Sequence, residues 1–213
     1  MSARVRVKIC GLTNEADARA AIELGADALG FNLFPGSPRC VDLDREAAWI
    51  AALPPFVARV AVLVNVSLAE ARRVAEHPAI DLVQFHGDED EPYCAEFARL
   101  GRPFLKALRV RDAGSVQRAD RFSTPHMLLD AHADDAYGGT GLRFDPAIAV
   151  EAAGRFPALR IVLAGGLRPE NVAAAMRAAR PYAVDVASGV ESAPGRKDRE
   201  KMAAFVAAAG SET

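Results

Sequence analysis

Cysteine is scarce in this chain. Three in 213 residues is an odd number and too few for a disulfide framework, so they read as reduced thiols of a cytoplasmic protein. No CxxC pair and no Cys/His cluster with ligand spacing occurs, which argues against a zinc site. No apolar run approaches the roughly 20 residues that a bilayer-spanning helix needs. The N-terminus alternates charge with valine and lacks the continuous apolar stretch of a signal peptide. Charge of one sign is missing too. Lys and Arg number 26 against 28 Asp and Glu, and a net charge of −2 offers no basic field to nucleic acid or to an anionic membrane. What remains is ordinary globular composition, 51% hydrophobic and 25% charged. The length suits one domain of the larger kind, spanning residues 1–213, with enough chain for a sizeable core. The tail from Gly210 to Thr213 reads as frayed.

The chain repeats one rhythm: a short β-branched apolar run, a turn, then an amphipathic segment. Strands are predicted at Arg4–Cys10, Ala28–Phe34, Arg59–Asn65, Leu82–His86, Phe104–Val110, His126–Asp130, Arg160–Gly165 and Ala183–Ser188. Thr13 precedes one helical pattern, Ser67 precedes another, and Pro169 sits where a first helical turn would begin. A last helix is expected over about Asp198–Ala208. Strands alternating with helices imply parallel pairing through right-handed crossovers. Eight strands and eight helices in this length fit a closed (β/α)8 TIM barrel. An open doubly wound sheet is the competing arrangement, but it needs a switch point and usually fewer strands.

In a β/α barrel the chemistry sits at the C-terminal ends of the strands. That rule selects Cys10, Asn32, Asn65, His86, Asp130 and Ser188. Cys10 and Asp130 end two separate strands and suggest a base and an acid facing one cavity. A second cluster lies at the last two strands. Gly165-Gly166 follows the seventh and Ser188-Gly189 ends the eighth, where a short helical turn would aim its positive end inward. Loops seven and eight are the usual phosphate site of this architecture.

Several of these segments form a recognisable series. Lys8-Ile9-Cys10-Gly11-Leu12-Thr13, Gly25-Ala26-Asp27-Ala28-Leu29-Gly30-Phe31, Ser37-Pro38-Arg39, Gln84-Phe85-His86-Gly87, Leu129-Asp130, Gly138-Gly139-Thr140-Gly141, Ala164-Gly165-Gly166-Leu167 and Ser188-Gly189-Val190-Glu191 occur in order. Over essentially its whole length the chain resembles phosphoribosylanthranilate isomerase of tryptophan biosynthesis. The resemblance implies an Amadori rearrangement of N-(5′-phosphoribosyl)anthranilate to the deoxyribulose phosphate, with no cofactor and no metal. It puts the general base on Cys10 and the general acid on Asp130, and gives Arg39 the anthranilate carboxylate. With them His86, Gly139, Gly141, Gly165, Gly166, Ser188 and Gly189 are candidates for binding the phosphorylated substrate. The resemblance leaves room for association with other tryptophan-pathway enzymes. Two departures are visible: Phe85 stands where leucine is common, and Cys40 where an aromatic is usual after the Ser-Pro-Arg.

The chemistry sets demands on both groups. Asp130 must be protonated when substrate is bound, although a free Asp has a pKa near roughly 3.9. Cys10 must be a thiolate, although a free thiol has a pKa of about 8.5. Lys8 lies two residues earlier on the same strand face, and it is expected to point into the barrel, favour the thiolate and be partly neutralised by Asp185 of the eighth strand. His86 shares its face with Gln84. Cys40 and Cys94 read as inert, and His132 as a loop residue.

Two rivals remain. The histidine-pathway isomerase runs the same chemistry on a bis-phosphorylated substrate, but that family uses two aspartates and a second phosphate site in its first half. A non-catalytic barrel that binds a phosphorylated metabolite is the other, and both filled catalytic positions argue against it.

Overall fold

A computed structural model describes residues 4–131 and 146–210. Eight parallel strands close into a barrel: β1 Arg6–Cys10, β2 Ala28–Asn32, β3 Ala58–Leu63, β4 Leu82–Phe85, β5 Phe104–Val110, β6 His126–Ala131, β7 Arg160–Leu163 and β8 Ala183–Val186. Each pairs with the next, and β1 pairs with β8 through the registers Lys8–Asp185 and Ile9–Val186. The expected barrel is therefore the one found. β1 and β5 end where expected and β6 runs one residue further, to Ala131, whereas β2, β3, β4, β7 and β8 end one or two residues early: Phe34, Asn65, His86, Gly165 and Ser188 have already left the ladder and turned into the βα loops.

Seven α-helices surround the strands among the described residues: α1 Glu15–Glu23, α2 Leu43–Ala51, α3 Leu68–Ala75, α4 Glu91–Ala98, α5 Pro146–Arg155, α6 Val172–Ala179 and α7 Arg199–Gly210. No α-helix lies in the described segment between β5 and β6, where one was expected. Two 3₁₀ turns, 113–116 and Ala119–Arg121, follow β5 in its place. The segment from Arg111 to Pro125 carries Gly114 and a run of charged residues but no apolar stripe that a longer helix could bury. Asp112 instead caps the first turn reciprocally with Ser115.

Side-chain caps fix where several helices begin. Asn14 accepts from the amide of Asp17, Asp42 from those of Asp44 and Arg45, Ser67 from Glu70 and Asp90 from Tyr93. The start of α1 is thus one residue later than Thr13 suggested, and Ser67 caps as expected. Pro169 lies in a turn before α6 rather than in its first turn, and the helix starts after Asn171.

The period of two along each strand sorts the side chains. Val7 and Ile9 of β1, Leu29 and Phe31 of β2 and Phe85 of β4 face the helices in the large outer core. Phe85 packs there against Tyr93, Phe97 and Phe104, with ring centroids 5.3, 4.9 and 5.5 Å away. Leu105, Ala107, Leu128, Val162, Ala164 and Ala183 form a separate cluster inside the barrel. Lys8, Cys10, Gln84, Asp130 and Asp185 are spaced to face inward as well, and they begin the polar end of the interior. Among the described residues, no helix is long and apolar enough to cross a membrane.

Candidate active site

A cavity opens at the C-terminal ends of the strands, and Cys10, Asn32, Arg39, Gln84, His86, Asp130, Gly165, Gly166, Ser188 and Gly189 line it. The two strand-end groups expected to work as base and acid thus share one cavity. Asn65 does not line it: its backbone N–H donates to Glu89 Oε1 at 2.8 Å, in the loop after β3. Gly139, Gly141 and His132 lie outside the described residues. A larger cavity of about 800 Å³, lined by Pro54, Pro55, Phe56 and Tyr182, opens at the N-terminal end of the barrel. It touches none of Cys10, Asp130, Arg39 and His86, and strand-start positions serve the barrel's stability.

Cys10 sits opposite Gly30 in the β1–β2 register. A Cβ on Gly30 would stand 2.6 Å from the Cys10 Sγ, so the glycine makes the room in which the thiol lies. Below it, Lys8 Nζ donates to Asp185 Oδ1 at 2.7 Å, with side-chain exposures of only 5% and 9%. The expected pair is present. Burial alone would depress the Lys8 ammonium, but Asp185 and Cys10 together outweigh it and hold Lys8 above the usual lysine range. Burial raises the Cys10 thiol above its ordinary value; the positive charges of Lys8 and Lys197 work against that rise.

Asp130 is 7% exposed, and His86 Nε2 lies 3.2 Å from its Oδ2. On the other side of the ring, Gln84 Nε2 lies 2.8 Å from His86 Nδ1. The ring is thus held between the Gln84 amide on its Nδ1 side and Asp130 on its Nε2 side. One carboxyl oxygen is thereby held in place, leaving Oδ1 for a ligand. His86 supports the Asp130 carboxyl from the side. Gln84 Oε1 is buried with no hydrogen-bond partner among the described residues.

Arg39 is carried by the loop after β2, which Asn32 shapes. Asn32 Oδ1 accepts from the Phe34 amide at 2.8 Å, and its Nδ2 donates to Ser37 Oγ at 3.2 Å. Far from being a solvated loop residue, Arg39 donates through Nε and Nη2 to the two carboxylate oxygens of Glu191 at 2.8 and 2.7 Å. That contact uses one side of the guanidinium and leaves the Nη1–Nη2 edge for a second planar anion. Glu191 and its neighbour Lys197 were not singled out by sequence reasoning. The available signal was the acidic residue closing Ser188-Gly189-Val190-Glu191, a charge next to a phosphate-type loop.

The loops after β7 and β8 come together as anticipated. Gly165 and Gly166 both adopt positive φ, 85° and 66°, a conformation that turns successive amides toward one side and that other residues resist. Ser188–Val190 forms the short helical turn expected after β8. A Cβ at Gly189 would collide with the carbonyl oxygen of Leu167, so loops seven and eight touch only because that position has no side chain.

Residues 7–208 match the profile of the family described as N-(5'phosphoribosyl)anthranilate (PRA) isomerase. The chain belongs to that family. It is 48% identical over 208 residues to the N-(5'-phosphoribosyl)anthranilate isomerase of Neisseria meningitidis serogroup C, with 97% of each chain covered. A namesake from Acidithiobacillus ferrooxidans is also 48% identical, covering 95% of this chain and 96% of its own. The crystal structure of phosphoribosyl anthranilate isomerase from Thermotoga maritima superposes with a TM-score of 0.87 at 39% identity, covering 96% of this chain and 98% of the other. A crystal structure of a phosphoribosyl anthranilate isomerase in complex with reduced 1-(o-carboxyphenylamino)-1-deoxyribulose 5-phosphate matches with a TM-score of 0.83 at 38% identity, covering 96% of this chain and 98% of the other. This protein is accordingly a phosphoribosylanthranilate isomerase, an isomerase of tryptophan biosynthesis.

Proposed function

We propose that Cys10 is the general base and Asp130 the general acid of an Amadori rearrangement that converts N-(5′-phosphoribosyl)anthranilate to 1-(2-carboxyphenylamino)-1-deoxyribulose 5-phosphate. The observation that carries this reading is the placement of both groups, from β1 and β6, on one cavity that also holds an arginine edge and the glycines of loops seven and eight.

The substrate has two anionic ends. The free Nη1–Nη2 edge of Arg39 suits the planar anthranilate carboxylate. Gly165, Gly166, Ser188 and Gly189 offer backbone N–H groups to the 5′-phosphate. Gly139 and Gly141 stay in the substrate-binding set on the strength of the family pattern. Between these anchors the ribose spans the cavity floor, with its ring oxygen toward Asp130 and C2′ toward Cys10.

Asp130 gives its proton to the ring oxygen as the C1′–O bond breaks, and the nitrogen lone pair forms the C1′=N bond of a Schiff base. The Cys10 thiolate then takes the proton from C2′, and those electrons form the C1′=C2′ bond while neutralising the iminium nitrogen. The enolamine loses its C2′ hydroxyl proton and gains one at C1′, which gives the ketone. No atom is gained or lost, and exchange with solvent resets the acid and the base. His86 keeps one oxygen of Asp130 occupied so that the other delivers the proton. Three free cysteines suit the reducing cytoplasm in which we place this step.

The test is loss of anthranilate-ribotide fluorescence, with substrate generated in situ from anthranilate and phosphoribosyl pyrophosphate. Wild type should turn over, and Cys10→Ser and Asp130→Asn should each fall by orders of magnitude while remaining folded. A Cys10→Ser variant that keeps wild-type turnover would move the base elsewhere.

A further inference from the structure

After β8 and its short turn, the chain forms a two-stranded antiparallel hairpin, β9 Glu191–Ala193 and β10 Arg196–Lys197, outside the barrel. The hairpin straps the first two βα loops. Thr13 Oγ1 donates to the Gly195 carbonyl at 2.6 Å, and the Lys197 amide donates to Asp17 Oδ2 at 2.9 Å. A Cβ on Gly195 would sit 3.3 Å from the carbonyl oxygen of Pro38, beside Arg39.

Two buried charges hold this junction together. The Glu191 side chain, 5% exposed, receives Arg39 on both oxygens and the Lys197 ammonium at 2.9 Å on Oε1. Lys197, whose side chain is wholly buried, spends its other donors on the carbonyl of Cys10 at 2.6 Å and that of Ala187 at 3.1 Å. A lysine sunk this far is costly unless every donor is satisfied, and here three acceptors meet three N–H groups. Arg39 itself lies across the turn after Cys10: a Cβ on Gly11 would come 2.5 Å from Arg39 Cδ. One connected chain of contacts therefore runs from Arg39 through Glu191 and Lys197 to the backbone of Cys10. With Lys8 and Asp185, three cations stand against two carboxylates around Cys10 and Arg39, and Asp130 adds a third carboxyl group to the same cavity.

We propose that Glu191 and Lys197 are positioning residues for the isomerisation: Glu191 aims the free edge of Arg39 at the substrate carboxylate, and Lys197 locks that clamp to the strand end bearing Cys10. The inference rests on the reading of Arg39 as the carboxylate ligand and Cys10 as the base. A purely structural pair would stabilise the hairpin without distinguishing one substrate from another. A positioning pair ties selectivity for the carboxylate to Glu191.

The experiment compares kcat/KM for N-(5′-phosphoribosyl)anthranilate with that for the aniline ribotide, which lacks the carboxylate and is made from aniline and ribose 5-phosphate. Glu191→Gln should raise KM for the anthranilate substrate by roughly ten- to hundredfold, the loss of a charge-assisted hydrogen bond, and leave the aniline ribotide within about twofold. Lys197→Met should lower kcat on both ribotides and displace the rising limb of the pH–rate profile upward. Should Lys197→Met not fold, Glu191→Gln/Lys197→Met removes the unpaired carboxylate and carries the same comparison. Equal losses on both ribotides in a folded Glu191→Gln variant, or no loss on either, would overturn the proposal. Arg39→Ala separates the two layers: if it leaves selectivity for the carboxylate intact, the Arg39 reading falls and the positioning role falls with it. If Arg39→Ala abolishes that selectivity and Glu191→Gln does not, only the positioning role is lost.

Discussion

Lys8 Nζ lies 2.7 Å from Asp185 Oδ1, one step below Cys10 on β1 and in direct register with β8. The pair is nearly closed to solvent, so removing one member leaves the other charged and alone. Lys8→Met is expected to destabilise the fold by about 3–5 kcal/mol, the usual cost of stranding a buried carboxylate. It should also move the rising limb of kcat/KM to higher pH, because the cation opposing the rise of the Cys10 thiol is gone. Adding Asp185→Asn should restore most of the stability and little of the activity at neutral pH. Thermal melts and pH–rate profiles of the single and double variants check both parts; an unchanged profile and melt would refute the coupling.

Burial pushes the Cys10 thiol above its ordinary value, and only the deprotonated form acts as base. The deprotonated fraction grows as pH rises, so kcat/KM should climb with pH and keep climbing beyond the range in which an ordinary exposed thiol has titrated. The three thiols should separate on alkylation. Cys40 is exposed and should react first without loss of turnover, whereas Cys10 should react more slowly and abolish it. Burial raises Cys94 to about 12, and it should stay unmodified in the native protein. Peptide mapping against residual activity reads all three.

Gly30 leaves the Cys10 Sγ its space. Gly30→Ala would put a methyl group 2.6 Å from that sulfur and 3.0 Å from the Cys10 Cα, so the thiol must move. An overpacking cost of about 1–3 kcal/mol is expected, which the barrel should survive. The loss of kcat should far exceed what so small a change in melting temperature implies, since a displacement of about 1 Å at the reacting centre can cost a hundredfold. A Gly30→Ala variant with wild-type kcat would show that the sulfur need not sit where it does.

The barrel was legible because parallel strands buried on both faces are written as β-branched apolar runs, and eight such runs at even spacing leave few arrangements. Their ends were less legible. Asn65, Gly165 and Ser188 continue the apolar pattern or its polar strand-end signal, yet the backbone there is already committed to the loops. The missing helix after β5 has a different cause: caps and turns are local, and the capping box of Asp112 and Ser115 closes one 3₁₀ turn without an apolar face to extend it. In the site, Cys10, Asp130 and His86 could be read because strand-end position alone places them. Glu191 offered only the weak signal of an acid beside a phosphate-type loop, and Lys197 offered none. Their partners stand 152 and 187 residues away in sequence, at Arg39 and Cys10, and only barrel closure brings them together.

The proposed mechanism divides two proton transfers between Cys10 and Asp130, and a substrate deuterated at ribose C2 separates them. Cys10→Ser weakens the base, so removal of the C2′ proton should limit the rate and kcat/KM should show a primary isotope effect. Asp130→Asn weakens the acid, so ring opening, which breaks no bond to that hydrogen, should limit the rate and the effect should vanish. Equal isotope effects in the two variants, or one confined to Asp130→Asn, would contradict the assignment of Cys10 as base and Asp130 as acid.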